Sequence, residues 1–255
     1  MHRLREVMKS FVSLSDIHYP YEDKDAMILV KKFLADFHPD ILILNGDIYD
    51  CPQLSKYSQR HKEAANSRQL GDDLAYGLRQ LGELIDLANP QQTHFISGNH
   101  EDRLNAYVGR NAPAIASVIN LDTGQLFAPP TSTFYPYGSG LWLTDSLFVY
   151  HGTRIGVNWT AAEQRDVGAS TITGHQHRQG VTYHRDRSRQ YKNVGQGCLC
   201  RLDPPYMRVP PDWQQGFAFG WVWGQDRFRV VEAEIVRGEE ASWTAPLGKI
   251  YRSDE

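Results

Sequence analysis

Apolar residues recur along the chain in short runs, and several of these runs end abruptly in a polar cluster. Phe11-Val12-Ser13-Leu14 leads into Ser15-Asp16-Ile17-His18, and Ile41-Leu42-Ile43-Leu44 into Asn45-Gly46-Asp47. His94-Phe95-Ile96-Ser97 precedes Gly98-Asn99-His100, Leu147-Phe148-Val149-Tyr150 precedes His151-Gly152, and Ser170-Thr171-Ile172-Thr173 precedes Gly174-His175-Gln176-His177. Runs of this length, rich in β-branched and aromatic residues, predict buried strands.

Between them the period changes. Met27, Val30, Leu34 and Phe37 stand three and four apart behind Asp23 and Asp25, and Leu70, Leu74, Leu78, Leu81 and Ile85 repeat the spacing up to Asn89-Pro90. That spacing gathers apolar side chains on one helical face and predicts two amphipathic helices. Gly71, Gly77 and Gly82 weaken the second by about 1 kcal/mol each against alanine. Thr160 with Glu163 reads as a capping box that opens a third helix.

Strands alternating with helices predict an α/β layered fold, with ligands gathered outside the carboxyl ends of the strands. Beyond His177 the pattern turns mostly β, with strands expected at 181–183, 191–194, 217–223 and 228–236 and a hairpin link at Gly224-Gln225-Asp226. This third, 178–240, is expected to form a second sheet against the first. Residues 101–145 carry the weakest pattern: 112–119 reads as helix, and Ala128-Pro129-Pro130 and Tyr135-Pro136-Tyr137-Gly138 as loops. Residues 252–255 are expected to be disordered. No repeat or linker interrupts the 255 residues, so one domain spanning 1–255 is expected.

Composition narrows the chemistry. A hydrophobic share of 41% and a charged share of 22% are those of an ordinary globular protein. The net charge of −3 excludes a global basic field, so nucleic acid would have to be met by a local patch or by bound cations. Cys51, Cys198 and Cys200 do not make a disulfide framework and suit a reducing compartment. No apolar run approaches the ~20 residues of a membrane span, and the first residues lack a signal-peptide core. A cytoplasmic protein without a membrane partner is expected.

Five motifs follow the strand-like runs in order: Asp16-x-His18, Gly46-Asp47-x-x-Asp50, Gly98-Asn99-His100-Glu101, His151-Gly152 and Gly174-His175-x-His177. Five of the ten histidines fall inside them. A single such histidine is as well explained by core packing; five blocks in sequence are not. Asp16 and His18 stand two apart in what reads as an extended segment, so both side chains point the same way, and His175 and His177 repeat the arrangement. A mixed carboxylate, imidazole and amide donor set suits Mn, Fe, Zn, Co or Ni better than Ca or Mg.

These blocks, over residues 16–177, resemble the calcineurin-like metallophosphoesterase family. The resemblance implies a two-sheet β-sandwich flanked by helices, in four α/β/β/α layers. It also implies hydrolysis of phosphate esters with two divalent transition-metal ions, manganese first, with Fe, Zn, Ni or Co as alternatives. By motif, Asp16, His18 and His177 would hold one ion, Asn99, His151 and His175 the other, and Asp47 would bridge them. His100 would contact the scissile phosphate or protonate the leaving oxygen, and Asp50 would orient His100 or a ligand histidine. A hydroxide shared by the two ions would attack phosphorus. The protein phosphatase branch carries Arg-Gly after its second-block Asp; here Cys51-Pro52 follow Asp50, which disfavours a phosphoprotein substrate.

The expected substrate is a phosphodiester: a nucleic-acid strand, a cyclic nucleotide or another small diester. A phosphomonoester of a nucleotide or metabolite is the alternative, and a metal-binding scaffold without turnover the third reading. Arg103 and Arg154, each three residues past a motif histidine, either clamp a phosphate oxygen or pair with a neighbouring acid such as Glu101 or Asp102. Arg178 follows His177 and could reach the phosphate. Arg178, Arg185, Arg187, Arg189 and Lys192 make a basic hairpin that is either substrate-facing or a solvated tip. Cys198 and Cys200 read as buried thiols sharing a strand face. Trp213, Trp221, Trp223 and Trp243 read as core or sheet-face residues, with base stacking as the alternative.

Overall fold

Strand β1 (Met8–Leu14) shows why the apolar runs are continuous. Phe11 faces one side of its sheet, and Val12 and Leu14 face the other, and all three are fully buried. Strand β2 (Ile41–Asn45) divides in the same way, Ile41 and Ile43 against Leu42 and Leu44. A strand covered on both faces has no polar side to show. The computed structural model describes residues 7–55, 68–116, 123–203, 211–237, 241–244 and 249–254.

One sheet has six strands in the order β11-β10-β1-β2-β3-β4, with β3 at Gln92–Ile96, β4 at Thr133–Tyr135, β10 at Gly216–Trp223 and β11 at Arg227–Glu234. Strands β1 to β4 run parallel, and β10 and β11 are added antiparallel. The other main sheet has the order β5-β6-β7-β9-β8: β5 (Gly140–Thr144), β6 (Leu147–Tyr150), β7 (Ser170–Thr173), β8 (Gln179–Arg185) and β9 (Gln190–Gln196). Its centre, β6-β7-β9, is parallel. Phe11, Ile41, Ile43 and Ile96 from the first sheet meet Leu147, Val149, Ile172 and Val194 from the second in a buried core between the two.

Helices close both outer faces. Helix α1 (Lys24–Phe37) is capped by Asp23, whose side chain accepts from the Ala26 N–H at 3.0 Å. It packs with α2 (Leu70–Ala88) over Val12, Leu14, Leu42 and Leu44. Gly77 of α2 lies against the Tyr49 ring, where an added Cβ would approach within 2.3 Å; Gly71 and Gly82 face open space. Among the described residues, the short helices α3 (Arg103–Asn111), α4 (Pro113–Ala116) and α5 (Thr123–Phe127) follow α2 and β3. Helix α6 (Trp159–Val167) covers the outside of the second sheet, its Trp159 set over Gly180 and Gly195. The result is the expected four-layer α/β/β/α arrangement. A small antiparallel sheet, β12 (Val236–Arg237), β13 (Ala241–Thr244) and β14 (Ile250–Arg252), packs Trp243 and Tyr251 against Phe33 of α1.

Several expectations are corrected. The four strands expected after His177 do not form one sheet: β8 and β9 complete the second sheet, whereas β10 and β11 extend the first. The 224–226 link is as expected, since Trp223 pairs with Arg227. Thr160 is not an N-cap; Asn158 holds that position, and Glu163 serves another purpose. Arg252 is paired within β14 rather than disordered. Helix α3 and strand β5 were not legible as such, and 117–119 of the expected 112–119 helix lie outside the described residues. Among the described residues no helix is long and apolar enough to cross a membrane.

Candidate metal centre

All five motifs emerge at the carboxyl ends of parallel strands: β1 before Asp16, β2 before Asp47, β3 before Asn99, β6 before His151 and β7 before His175. The loops after β1 and β2 stay paired. Asp16 N–H donates to Gly46 O at 3.0 Å, His18 N–H to Asp47 O at 3.0 Å, and Tyr19 N–H to Ile48 O at 2.8 Å. The Asp16-x-His18 and His175-x-His177 segments are not extended, contrary to the expectation from the sequence. Asp16 (φ 52), His18 (φ 56), His175 (φ 69) and His177 (φ 55) all occupy the left-handed region, as does Asp47 (φ 49). Side chains converge because the backbone coils at each of these residues, a strain that surrounding structure must hold in place.

One donor atom from each of Asp16, His18, Asp47 and His177 lies within 4.8 Å of the others, and Asp47 forms a second such group with His151 and His175. His177 Nε2 is 3.0 Å from Asp16 Oδ1 and 3.1 Å from His18 Nε2. Asp47 Oδ2 lies 3.2 Å from His151 Nε2 and 3.9 Å from His18 Nε2. The Oδ1 of Asn99 is buried without a hydrogen-bond partner. Orphaned buried polar atoms of this kind cost about 1–3 kcal/mol each unless something binds them. Two imidazole nitrogens aimed at one point beside a carboxylate fit a cation in the same way, so the donor set suits a divalent transition metal.

The outer partners fix which nitrogen faces inward. His18 Nδ1 donates to Asp50 Oδ1 at 2.9 Å, and His151 Nδ1 donates to Asn45 O at 2.9 Å, leaving Nε2 of each for the centre. His177 Nδ1 faces the Cys200 thiol at 3.9 Å. Cys198 and Cys200 are buried thiols as expected, but they sit in irregular chain joined by isolated bridges. Asp16 accepts from Ser15 Oγ at 2.5 Å and from the His175 N–H at 3.0 Å.

Two motif glycines are dictated by close approach. A Cβ on Gly98 would stand 2.1 Å from Asp47 Oδ1, and one on Gly174 would stand 2.3 Å from Asp16 Oδ2. Glu101, fully buried, accepts from the backbone N–H groups of Gly98 (2.7 Å), Tyr49 (2.9 Å) and Asp47 (3.1 Å), tying the second motif to the third. Burial, helped by the Asp47 charge, raises its pKa to about 7.

Charge is concentrated here. Burial alone would raise Asp47, but the imidazoles of His100, His151 and His18 outweigh it and hold the carboxyl well below the usual range. Asp50 is lowered in the same way by His100 and His18 against its burial. Burial depresses His151, yet the Asp47 and Asp16 carboxylates overcome this and push it up to about 10. His177 is also raised against burial. Cys200 stands first among the raising neighbours, but that thiol is itself pushed far up by Cys198 and burial and is uncharged at neutral pH, so the Asp16 carboxylate sustains the shift.

His100 lies beside both groups. Its Nδ1 donates to Asp50, 2.9 Å from the carbonyl and 3.1 Å from Oδ1, and its Nε2 is 3.7 Å from Asp47 Oδ2. Arg103 does not pair with Glu101 or Asp102; it donates to Asp50 O at 2.6 Å and lies 2.7 Å from His100 Nε2. Arg154 pairs on the surface with Asp166, and Arg178 with Asp212 and Gly156 O, so neither touches a motif carboxylate or imidazole. The tip of the basic hairpin is exposed. Asp186 caps its turn by accepting from the Ser188 and Arg189 N–H groups, and β8 carries the tip about 20 Å from His177.

The sequence reading missed Glu163. Buried in α6, its carboxylate accepts from the Tyr150 hydroxyl and from the N–H groups of Thr153 and Arg154, both at 2.7 Å, and so clamps the loop that carries His151. A charged residue on the inner face of a short helix was the available signal, and the capping-box pattern masked it.

The family model for calcineurin-like phosphoesterases matches residues 9–183. The "Gene 54 protein" of Mycobacterium phage D29 is 30% identical over 192 residues, covering 69% of this chain and 72% of that protein. Its namesake from Mycobacterium phage L5 is 27% identical over 238 residues, covering 85% and 90%. Solved structures that align over most of the chain include wild-type Vps29 complexed with zinc from Entamoeba histolytica (11% identity, 96% of this chain, 99% of that one, TM-score 0.45). A metallophosphoesterase from Sphaerobacter thermophilus aligns at 15% identity over 88% of each chain, with a TM-score of 0.42.

Proposed function

The chain belongs to the calcineurin-like phosphoesterase family and is a metal-dependent phosphoester hydrolase, and from that premise we propose that it is a phosphodiesterase with a two-ion centre. One domain, 1–255, carries the activity. Asp16, His18 and His177 hold one ion, Asn99, His151 and His175 hold the other, and Asp47 serves both. The single observation behind this reading is that the two donor groups share Asp47. Manganese is the first choice of metal, with iron, zinc, nickel or cobalt compatible with the same donors. The three buried thiols support a cytoplasmic location.

When bound, a pair of divalent ions supplies the Lewis acidity that activates water and offsets charge on the phosphate oxygens. The protein's own groups do the rest. Asp50 holds His100 through Nδ1, which turns Nε2 towards Asp47 and the centre. Nε2 accepts from the Arg103 guanidinium; once Arg103 turns to the phosphate, Nε2 takes up a proton and passes it to the ester oxygen as its bond to phosphorus breaks and the attacking water, its own proton lost to solvent, bonds to phosphorus. Arg103, within reach of His100, binds a non-bridging oxygen.

The charge balance favours a diester. Of the three arginines picked out from the sequence, Arg103 alone contacts a motif imidazole, whereas Arg154 and Arg178 are neutralised by Asp166 and Asp212. One guanidinium suits the single negative charge of a diester better than the double charge of a terminal phosphate. The test compares bis-p-nitrophenyl phosphate with p-nitrophenyl phosphate, each with Mn²⁺ restored to metal-stripped protein. A higher kcat/KM on the diester is expected; a preference for the monoester overturns the reading.

A further inference from the structure

Trp213 lies outside every motif and packs edge-on against His177, with ring centroids 4.2 Å apart at 67°. The indole is held there from both sides. Gln214 N–H donates to His177 O at 2.8 Å, Gln179 N–H donates to the Gln214 side chain at 2.9 Å, and Asp212 pairs with Arg178 at 3.1 Å. The segment is thus stitched to the residues flanking a proposed ligand, and Trp213 remains only half-buried.

Arg178, next to His177, is paired with Asp212, and a flat aromatic group flanking the phosphate finds an indole here.

We propose that Trp213 is a stacking platform for a nucleobase, so that the preferred substrate is a small phosphodiester bearing a nucleoside next to the scissile phosphate. The inference rests on the phosphodiesterase reading above. Stacking on a pre-positioned indole is sequence-tolerant, since every base presents a π-face. The platform therefore selects for a base without selecting which base.

Thymidine 5′-(p-nitrophenyl phosphate) and methyl p-nitrophenyl phosphate share a leaving group and differ in the base, and they test the proposal on the Mn²⁺-loaded full chain. The wild type is expected to prefer the nucleoside substrate through KM. Trp213→Ala should reduce that preference about tenfold, and Trp213→Phe should retain most of it. Trp213→Leu, which keeps apolar cover over His177 without a π-face, should lose it as alanine does. These last two variants carry the same comparison should the alanine protein fail to fold. An equal loss on both substrates would mean that Trp213 acts only through His177 and would overturn the proposal, as would an unchanged preference in the leucine variant. Failure of the wild type to hydrolyse either diester would instead defeat the phosphodiesterase reading.

Discussion

Gly98→Ala places a methyl group 2.1 Å from Asp47 Oδ1 and 2.3 Å from Asp47 N. Ordinary contact begins near 3.4 Å, so the two motifs must part by about 1.3 Å. The backbone cannot slide freely, because Glu101 ties the N–H groups of Asp47, Tyr49 and Gly98 together. The displacement falls on the Asp47 carboxylate, whose Oδ2 faces His18 and His151. Metal–ligand distances tolerate only about 0.2 Å. Overpacking should lower the stability of the metal-free protein by about 1–3 kcal/mol, and affinity for both ions should fall by about 100-fold or more. Calorimetric titration of metal-stripped protein with Mn²⁺, beside thermal melts, measures both. Gly71→Ala is the control: a Cβ there meets nothing within 4 Å, and the helix should be slightly stabilised with metal binding untouched. Wild-type affinity at both sites in Gly98→Ala would refute the argument.

Three further outcomes are expected. His100→Ala should keep its metal but lose about 10²–10⁴-fold in kcat on esters with poor leaving groups, and much less on p-nitrophenyl esters; equal losses on both would show that His100 is not the proton donor. Glu163→Ala should strand the Thr153 and Arg154 N–H groups, lower stability by about 1–3 kcal/mol and weaken metal binding, with Glu163→Gln retaining more of both; thermal melts and Mn²⁺ titration decide, and a glutamine variant no better than alanine would show that the acceptor oxygen is not what matters. The folded-state pKa of His151, about 10, lies above its ordinary 6.5, so in metal-free protein its contribution is fully present below pH 6.5 and is lost as pH rises through about 10. Metal-free protein should therefore lose melting temperature across that window, and metal uptake at pH 7 should release the His151 proton; a binding enthalpy independent of buffer ionisation would contradict this.

The site was more legible in the sequence than the route by which the chain assembles it. Strands buried on both faces are uninterrupted apolar runs, so the polar blocks after Leu14, Leu44, Ile96, Tyr150 and Thr173 stood out against them. A spacing of two between Asp16 and His18 looks the same in a strand and in a coil of left-handed residues, and the second is what occurs. Strand periodicity also says nothing of partners, so the division of β8 and β9 from β10 and β11 between two sheets was hidden. Helix α3 is only nine residues long and only half-buries Leu104 and Val108, a stripe too short to read from the sequence. Glu163 has meaning only once α6 is folded over the loop after His151, a tertiary contact with no local signature.

The most direct measurement is the number of transition ions held by the metal-stripped, reconstituted chain, read by elemental analysis against protein concentration. Two per chain in the wild type, with Asp47→Ala unable to retain the pair, is the predicted result. One ion or none in well-folded wild type, or two still firmly held without the Asp47 carboxylate, would contradict it.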